Sequence, residues 1–186
     1  MTAELSNMIK GCRQYLPREQ EALYRFCYEP MMAVCMRYTQ QREQAADLYN
    51  QAMLKVLRSI GQFEQKGVFL GWVRRIVVNT CIDHCRREVK YSIRPIDDEE
   101  DLNVFIPAET ENRIAAEDII NWMGQLPKNT GLVFNLFAIE GYRHDEIAQF
   151  LGISTGTSKW HVNEARRLLQ NKFKNVQQTE IKKNVI

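Results

Sequence analysis

At 186 residues, 45% of them apolar and 26% charged, the chain has room for one large domain or two small ones and enough apolar side chain to pack a core, which excludes global disorder. No apolar run reaches the ~20 residues of a membrane span. The opening MTAELSNMIKGCRQ lacks the basic-then-apolar pattern of a secretory signal, and five cysteines without a CxxC spacing read as reduced thiols, so a cytoplasmic location is expected. The net charge of +2 is unevenly spread: residues 1–90 carry 14 basic and 9 acidic side chains, 91–120 carry 2 and 9, and 121–186 carry 9 and 5. Two basic blocks around an acidic connector suit two polyanion-binding modules joined by a segment that does not bind polyanions.

In chain order, no Val/Ile/Thr run sustains a period of two, so the fold is expected to be all-α. A first helix is predicted over about 3–14. Pro17 opens a second, about 17–28, in the first-turn place that proline favours. Pro30 is expected to end it and open a third, about 31–39. A helix over about 42–60 carries Ala46, Tyr49, Met53, Val56, Leu57 and Ile60 at spacings of three and four, and Gly61 is expected to close it. The loop Gln62–Val68 is bracketed by Phe63 and Phe69.

The next helix, about 70–89, has an apolar stripe of Val73, Ile76, Val77, Thr80 and His84. At ~100° per residue Arg75, Asn79 and Arg86, with Ile82 among them, fall on the opposite face, giving a basic and amide surface. Cys81, His84 and Cys85 are three soft ligands on this one helix. However, His84 lies about 60° from Cys81 and about 100° from Cys85. No metal, cofactor or catalytic group is assigned, and the chain is not read as an enzyme.

The stretch 90–113, YSIRPIDDEEDLNVFIPAET and its flanks, has two prolines, an acidic run and no helical period. It reads as an acidic linker whose roughly 23 residues could span up to ~80 Å. A helix from about Ile114 is broken by Leu126-Pro127. Another, about 128–139, presents Leu132, Val133, Leu136 and Phe137. Gly141–Phe173 then reads as a helix-turn-helix: a short helix through Ile147, Ala148 and Leu151 that stops at Gly152, a turn rich in Ser, Thr and Gly, and a longer helix to about Phe173. The tail 177–186 is polar and expected to fray. The domains are therefore drawn as 1–89, linker 90–113, 114–176 and tail 177–186.

On the longer helix, Val162, Ala165 and Leu169 cluster within about 40° of Ser158 and form the buried stripe. Trp160, Asn163 and Arg167 lie on the far side, with Lys159 and Arg166 beside them. A tryptophan among basic and amide groups suits contact with DNA, or else packing on a neighbour. Ser154 or Thr157 is placed to cap the helix and to donate to a phosphate at its N-terminus. This unit alone is also carried by freestanding repressors and activators.

Three stretches decide between those readings by resemblance. Glu43-Gln-Ala-Ala-Asp47-Leu48-Tyr-Asn50-Gln51, followed by Met53, Leu54, Val56 and Leu57, is similar to the region-two helix of bacterial sigma factors that docks on the RNA polymerase clamp. Phe63, Phe69-Leu-Gly71-Trp72-Val-Arg-Arg75-Ile76-Val-Val-Asn79-Thr80 and on to Arg86-Arg87 resembles the next part of region two, which melts and reads the minus-ten element. Leu126-Pro127, Val133-Phe134, Glu140-Gly-Tyr and Glu146-Ile-Ala through Gly152-Ile and Gly156-Thr157 resembles region four, which reads the minus-thirty-five element. Order, spacing and the acidic linker match the extracytoplasmic-function (ECF) group of the sigma-70 family over about residues 10–173.

The resemblance implies two small helical domains, a region 2 bundle and a region 4 helix-turn-helix. The partners it implies are core RNA polymerase, promoter DNA as duplex and melted non-template strand, and an anti-sigma protein. Asp47, Leu48, Asn50, Gln51, Met53 and Leu54 are implied to bind polymerase. Gln62, Phe63, Gln65, Lys66, Arg75, Asn79, Arg86 and Arg87 are implied to bind minus-ten DNA, where a flipped base is held by stacking and amide hydrogen bonds. Ser154, Thr157, Lys159, Trp160, Asn163, Glu164, Arg166 and Arg167 are implied to bind minus-thirty-five DNA. Phe69 is expected to close the loop onto the core, Phe63 is open between core and base, and Trp72 reads as a core wedge or a strand-facing ring. The acids Asp97–Asp101 are expected to thread through polymerase. Two departures bear on specificity: Asn50-Gln51 stands where the family often has Gln-Glu, and Glu164 stands where many members are basic.

Overall fold

The structure is a computed structural model that describes residues 2–39, 41–64, 67–89 and 121–183, with side chains described to Arg87 in the first part and to Val176 in the second. The linker 90–113, the start of the helix expected from Ile114, and Gln65 and Lys66 lie outside the described residues. The described residues contain helices and no strand, and the chain divides into two compact units, Met1–Arg87 and Glu88–Ile186.

In the first unit, α1 (Ala3–Arg13) packs on α2 (Pro17–Cys35), and α2 packs on α3 (Arg42–Ser59). A 3-10 turn (Ile60–Gln62) prolongs α3, and α4 (Phe69–Val89) follows the loop. The Thr2 hydroxyl accepts from the Leu5 amide at 3.4 Å and caps α1. Gly11 brings α1 and α2 into close approach: a Cβ there would lie 2.2 Å from Cγ of Glu19. The core is drawn from all four helices, including Ile9, Leu23, Cys27, Val34, Leu48, Tyr49, Met53, Val56, Val73 and Val77.

Two expectations about helix ends are corrected here. The break at Pro30 does not occur, because α2 runs through it without interruption to Cys35. Proline removes one backbone donor, but Cys27, Met31, Met32, Val34 and Cys35 on both sides of it are buried, and that packing holds the helix continuous. Gly61 does not close α3 in the left-handed conformation, which among the described glycines belongs to Gly141 and Gly152. The helix instead tightens into the 3-10 turn, one of the ways of satisfying terminal carbonyls.

In the second unit, residues 121–123 are helical and lead through Pro127 into α5 (Lys128–Ala138). α6 (His144–Leu151) and α7 (Thr155–Lys183) follow, and all three pack on one another. α5 gives way to left-handed Gly141 (φ +75°), with the Tyr142 amide donating to the Leu136 carbonyl. α6 ends as predicted at left-handed Gly152 (φ +70°), whose amide donates to Ala148. The Glu146 carboxylate accepts from the Arg143 amide at 2.8 Å, satisfying a donor at the start of α6. Leu132, Val133, Leu136, Ile147, Leu151, Val162 and Ala165 form the core. α7 continues helical to Lys183, so the tail expected to fray from residue 177 is helix as far as that residue.

Candidate nucleic-acid and polymerase surfaces

The implied polymerase residues divide across α3. Asp47, Asn50, Gln51 and Leu54 are exposed and spaced three, one and three apart, so they share one strip of the helix. Leu54 is 55% exposed. Leu48 and Met53 are each 1% exposed and belong to the core, which corrects their assignment to a docking face. Burying a Leu or Met side chain is worth about 1.5–3 kcal/mol, more than an exposed contact would return.

The strip extends onto α2, which the spacing along α3 does not reveal. The Tyr24 hydroxyl donates to Oδ1 of Asn50 at 2.8 Å, and the Tyr49 hydroxyl donates to the Tyr24 carbonyl at 2.5 Å. Tyr24 and Tyr28 meet the Tyr49 ring edge-on at 4.9 and 5.4 Å. The Tyr24–Tyr28 pair, one helical turn apart, is the sequence signal for this part of the surface.

At the loop, Phe63 and Phe69 are 4% and 3% exposed. Their rings meet edge-on at 5.1 Å, and Trp72 closes the cluster at 5.4 Å from Phe63 and 5.9 Å from Phe69. Phe69 therefore packs as expected, Trp72 is half-buried against both rings, and Phe63, left open between core and base, goes to the core. A base-stacking role for Phe63 is corrected: three aromatic rings bury more area against each other than one exposed ring would leave available. Gln62 remains exposed, and the loop also shows exposed Gly67 and Val68. On α4, Arg75, Asn79, Arg86 and Arg87 are all exposed. Ile82, which shares their sector by spacing, is 4% exposed and belongs to the core. The Arg87 Nε donates to the Asp83 carbonyl at 3.3 Å. His84 is half-buried, whereas Cys81 and Cys85 are buried.

In the second unit, three residues separate α6 from α7, as a helix-turn-helix requires. Ser154 is the cap: its Oγ accepts from the Thr157 amide at 2.9 Å and shares a 2.8 Å hydrogen bond with the Thr157 hydroxyl. Thr157 is 2% exposed with its hydroxyl turned to Ser154, so its assignment as a phosphate donor is corrected. Ser158, Val162 and Ala165 are buried as predicted, and Leu169 is half-buried.

Lys159 and Arg167 are exposed, and Trp160, Asn163, Glu164 and Arg166 are half-buried. Trp160 lays an edge on the His161 ring at 4.9 Å, so one part of it packs and the other faces outward. The Arg166 guanidinium sits 5.7 Å over the Phe137 ring. Glu164 holds Arg167 through two parallel bonds, Nε–Oε2 at 2.7 Å and Nη2–Oε1 at 2.6 Å. That pairing keeps the Glu164 carboxyl below its ordinary range and raises Arg167 above its own.

Two histidines tie the unit together. The His161 Nδ1 shares a 3.0 Å hydrogen bond with the Thr130 hydroxyl, and burial pushes this imidazole below its usual range. His144 stacks on Phe137 at 4.5 Å and shares a 3.0 Å bond with the Ser158 hydroxyl. Burial, then Lys159 and Arg166, lower it as well, against Asp145. In both, the unfolded chain takes up a proton before the folded one as pH falls. Stability is therefore full above about pH 6.5 and declines below it, by at most about 1.4 kcal/mol per pH unit for each histidine. Urea unfolding of the second unit between pH 7.5 and 5.5 is expected to show this decline, with a smaller slope in His161→Gln; a midpoint that rises on acidification would contradict it.

Residues 23–91 match the sigma-70 region 2 family, and residues 116–169 match the sigma-70 region 4 family. The chain is similar to a probable RNA polymerase sigma factor, RfaY, of Xanthomonas campestris, with 25% identity over 91% of this chain and 43% of that one. It is also similar to the ECF RNA polymerase sigma factor SigE of Mycolicibacterium smegmatis, with 27% identity over 81% of this chain and 57% of that one. Among solved structures, the sigma factor RpoE in complex with the anti-sigma factor NepR from Bartonella quintana aligns with a TM-score of 0.46 at 21% identity, over 83% of this chain and 96% of that one. The chain thus spans about half the length of those first two relatives. Two region families matched in chain order over well over half of the residues, on two separate helical units that carry exposed basic and amide strips, place this chain in the ECF group of the sigma-70 family.

Proposed function

We propose that the chain binds core RNA polymerase and directs it to start transcription at particular promoters. The observation that carries this reading is the pairing of two units in one chain. One carries the exposed strip Asp47/Asn50/Gln51/Leu54 on α3 and the exposed strip Arg75/Asn79/Arg86 on α4, and the other has a helix-turn-helix whose α7 presents Lys159, Trp160 and Asn163. A freestanding helix-turn-helix regulator would leave the first unit without a task. In this reading the α3 strip docks on the polymerase clamp, Gln62 and the α4 strip hold melted minus-ten DNA, and α7 reads minus-thirty-five DNA in the major groove. Arginines hold phosphates, and amides read base edges or a flipped base. The bond-forming chemistry belongs to polymerase. By the same resemblance an anti-sigma protein holds the factor, covering these faces.

The test is to add the pure chain to core polymerase and screen promoter-containing DNA for run-off transcripts. Specific transcripts that depend on the chain are expected. Duplex binding without capture of polymerase would sink the reading in favour of a freestanding regulator.

A further inference from the structure

Arg13 stands at the last turn of α1, and its side chain reaches 47 and 50 residues along the chain. Its Nε donates to the Ile60 carbonyl at 3.4 Å and its Nη2 donates to the Phe63 carbonyl at 2.7 Å. These carbonyls belong to the 3-10 turn and to the residue with which the chain leaves it, φ −68° and ψ 105°, for the Gln62–Phe69 loop. The Ile60 carbonyl also accepts from the Phe63 amide at 3.4 Å, and both carbonyls sit at the negative end of the helix dipole, where a guanidinium adds a donor and a favourable charge.

The platform behind Arg13 is firm. Leu5, Met8, Ile9 and Cys12 are buried, Gly11 lets α1 lie against Glu19, and the Cys12 thiol donates to the Glu19 carbonyl at 3.4 Å. Phe63, whose carbonyl Arg13 holds, packs its ring against Phe69 and Trp72. Arg13 and the ring cluster therefore grip the loop's first residue from its backbone and its side chain. α1 also lies before residue 23, where the match to the region 2 family begins, so Arg13 itself is outside what that family match covers.

We infer that Arg13 is a positioning residue that fixes how the chain leaves the 3-10 turn at Phe63 and so sets how the exposed Gln62, between the two carbonyls it holds, is presented to minus-ten DNA. The inference rests on the function proposed above. It requires that Arg13 act on promoter opening alone, since the docking strip lies on α3 and the minus-thirty-five helix in the other unit. A lysine keeps the charge but lacks the forked donors that reach two carbonyls together, so it should serve in part.

The experiment compares the full chain with Arg13→Ala and Arg13→Lys by three readouts with core polymerase: capture of polymerase, binding of minus-thirty-five duplex, and opening of the minus-ten region. A fourth, amide hydrogen exchange at Phe63 and Glu64, is read on the chain alone. Arg13→Ala is expected to slow opening about tenfold, the scale of a modest misplacement of a binding group, with capture and duplex binding within about twofold of wild type. Exchange should rise at Phe63 and Glu64 and stay unchanged in α3 and α7. Arg13→Lys should lie between. Equal opening by wild type and Arg13→Ala, unchanged exchange, or a parallel loss of all three polymerase and DNA readouts would each overturn the role. If the wild-type chain itself opens no promoter, the proposed function fails and takes this role with it, an outcome visible before any variant is made.

Discussion

Leu48→Ala should unfold the first unit far more readily than wild type, whereas Leu54→Ala, six residues along the same helix, should not. Leu48 is 1% exposed and Leu54 is 55% exposed. Truncating a buried leucine removes its transfer free energy and leaves a cavity, at a cost of roughly 2–5 kcal/mol, a large part of the stability of a small domain. An exposed leucine truncated to alanine changes stability by no more than about 0.5 kcal/mol. Under the proposed function the order reverses in the binding assay. Leu54→Ala, with its fold intact, should weaken capture of core polymerase about tenfold, or about 1.4 kcal/mol. Urea unfolding and a polymerase pull-down on the same preparations separate the two effects. Comparable destabilisation by both substitutions would mean that the buried and exposed faces of α3 are wrongly drawn. Wild-type capture by a folded Leu54→Ala chain would remove the strip from the docking surface.

Glu164→Gln is the second large effect, and its direction is a gain. Glu164 engages both donors of the Arg167 fork, at 2.7 and 2.6 Å, so under the proposed function one of the cations on α7 is already neutralised before DNA arrives. The pair is at the surface, with the Arg167 side chain 54% exposed, so it is a steering device rather than a source of stability. Replacing the carboxylate by an amide removes a charge that repels phosphates and frees Arg167 to meet one. Duplex affinity should rise roughly tenfold at low salt, and the logarithmic salt slope should steepen by about 0.9 for one added phosphate contact. Discrimination between promoter and random duplex should fall, because the added term is blind to sequence. Fluorescence anisotropy over a salt series measures all three. Unchanged affinity and slope would mean that Arg167 reaches DNA in spite of its partner. A loss of affinity confined to one base substitution would instead give Glu164 a direct contact, such as acceptance from a cytosine amine.

The first prediction turns on a distinction that a local pattern does not draw. Spacing along α3 marks an apolar direction, but the covered arc is wider than its centre, and whether Leu48 or Leu54 is inside depends on where α2 passes. The same holds for Phe63, whose fate is decided by Phe69 and Trp72 across the loop. Thr157 and Ser154 were equal candidates for the cap until the turn geometry put the accepting hydroxyl on Ser154. Pro30 reads as a break by its missing donor, yet burial on both sides carries α2 through it.

What the amino-acid order determined by itself was whatever is written in local punctuation and period. This covers the helical class, the ends of α1 and α5 to within a residue or so, the stop of α6 at Gly152, and the exposed strip Arg75/Asn79/Arg86. Those features depend on backbone conformation and side-chain direction within one or two turns, which neighbouring residues set. Only the tertiary structure decided which apolar residues are spent on the core, that Tyr24 joins Asn50, and that Arg13 grips a carbonyl 50 residues away. Burial and long-range hydrogen bonds depend on how helices meet, and the period of a single helix carries no record of its neighbour's position.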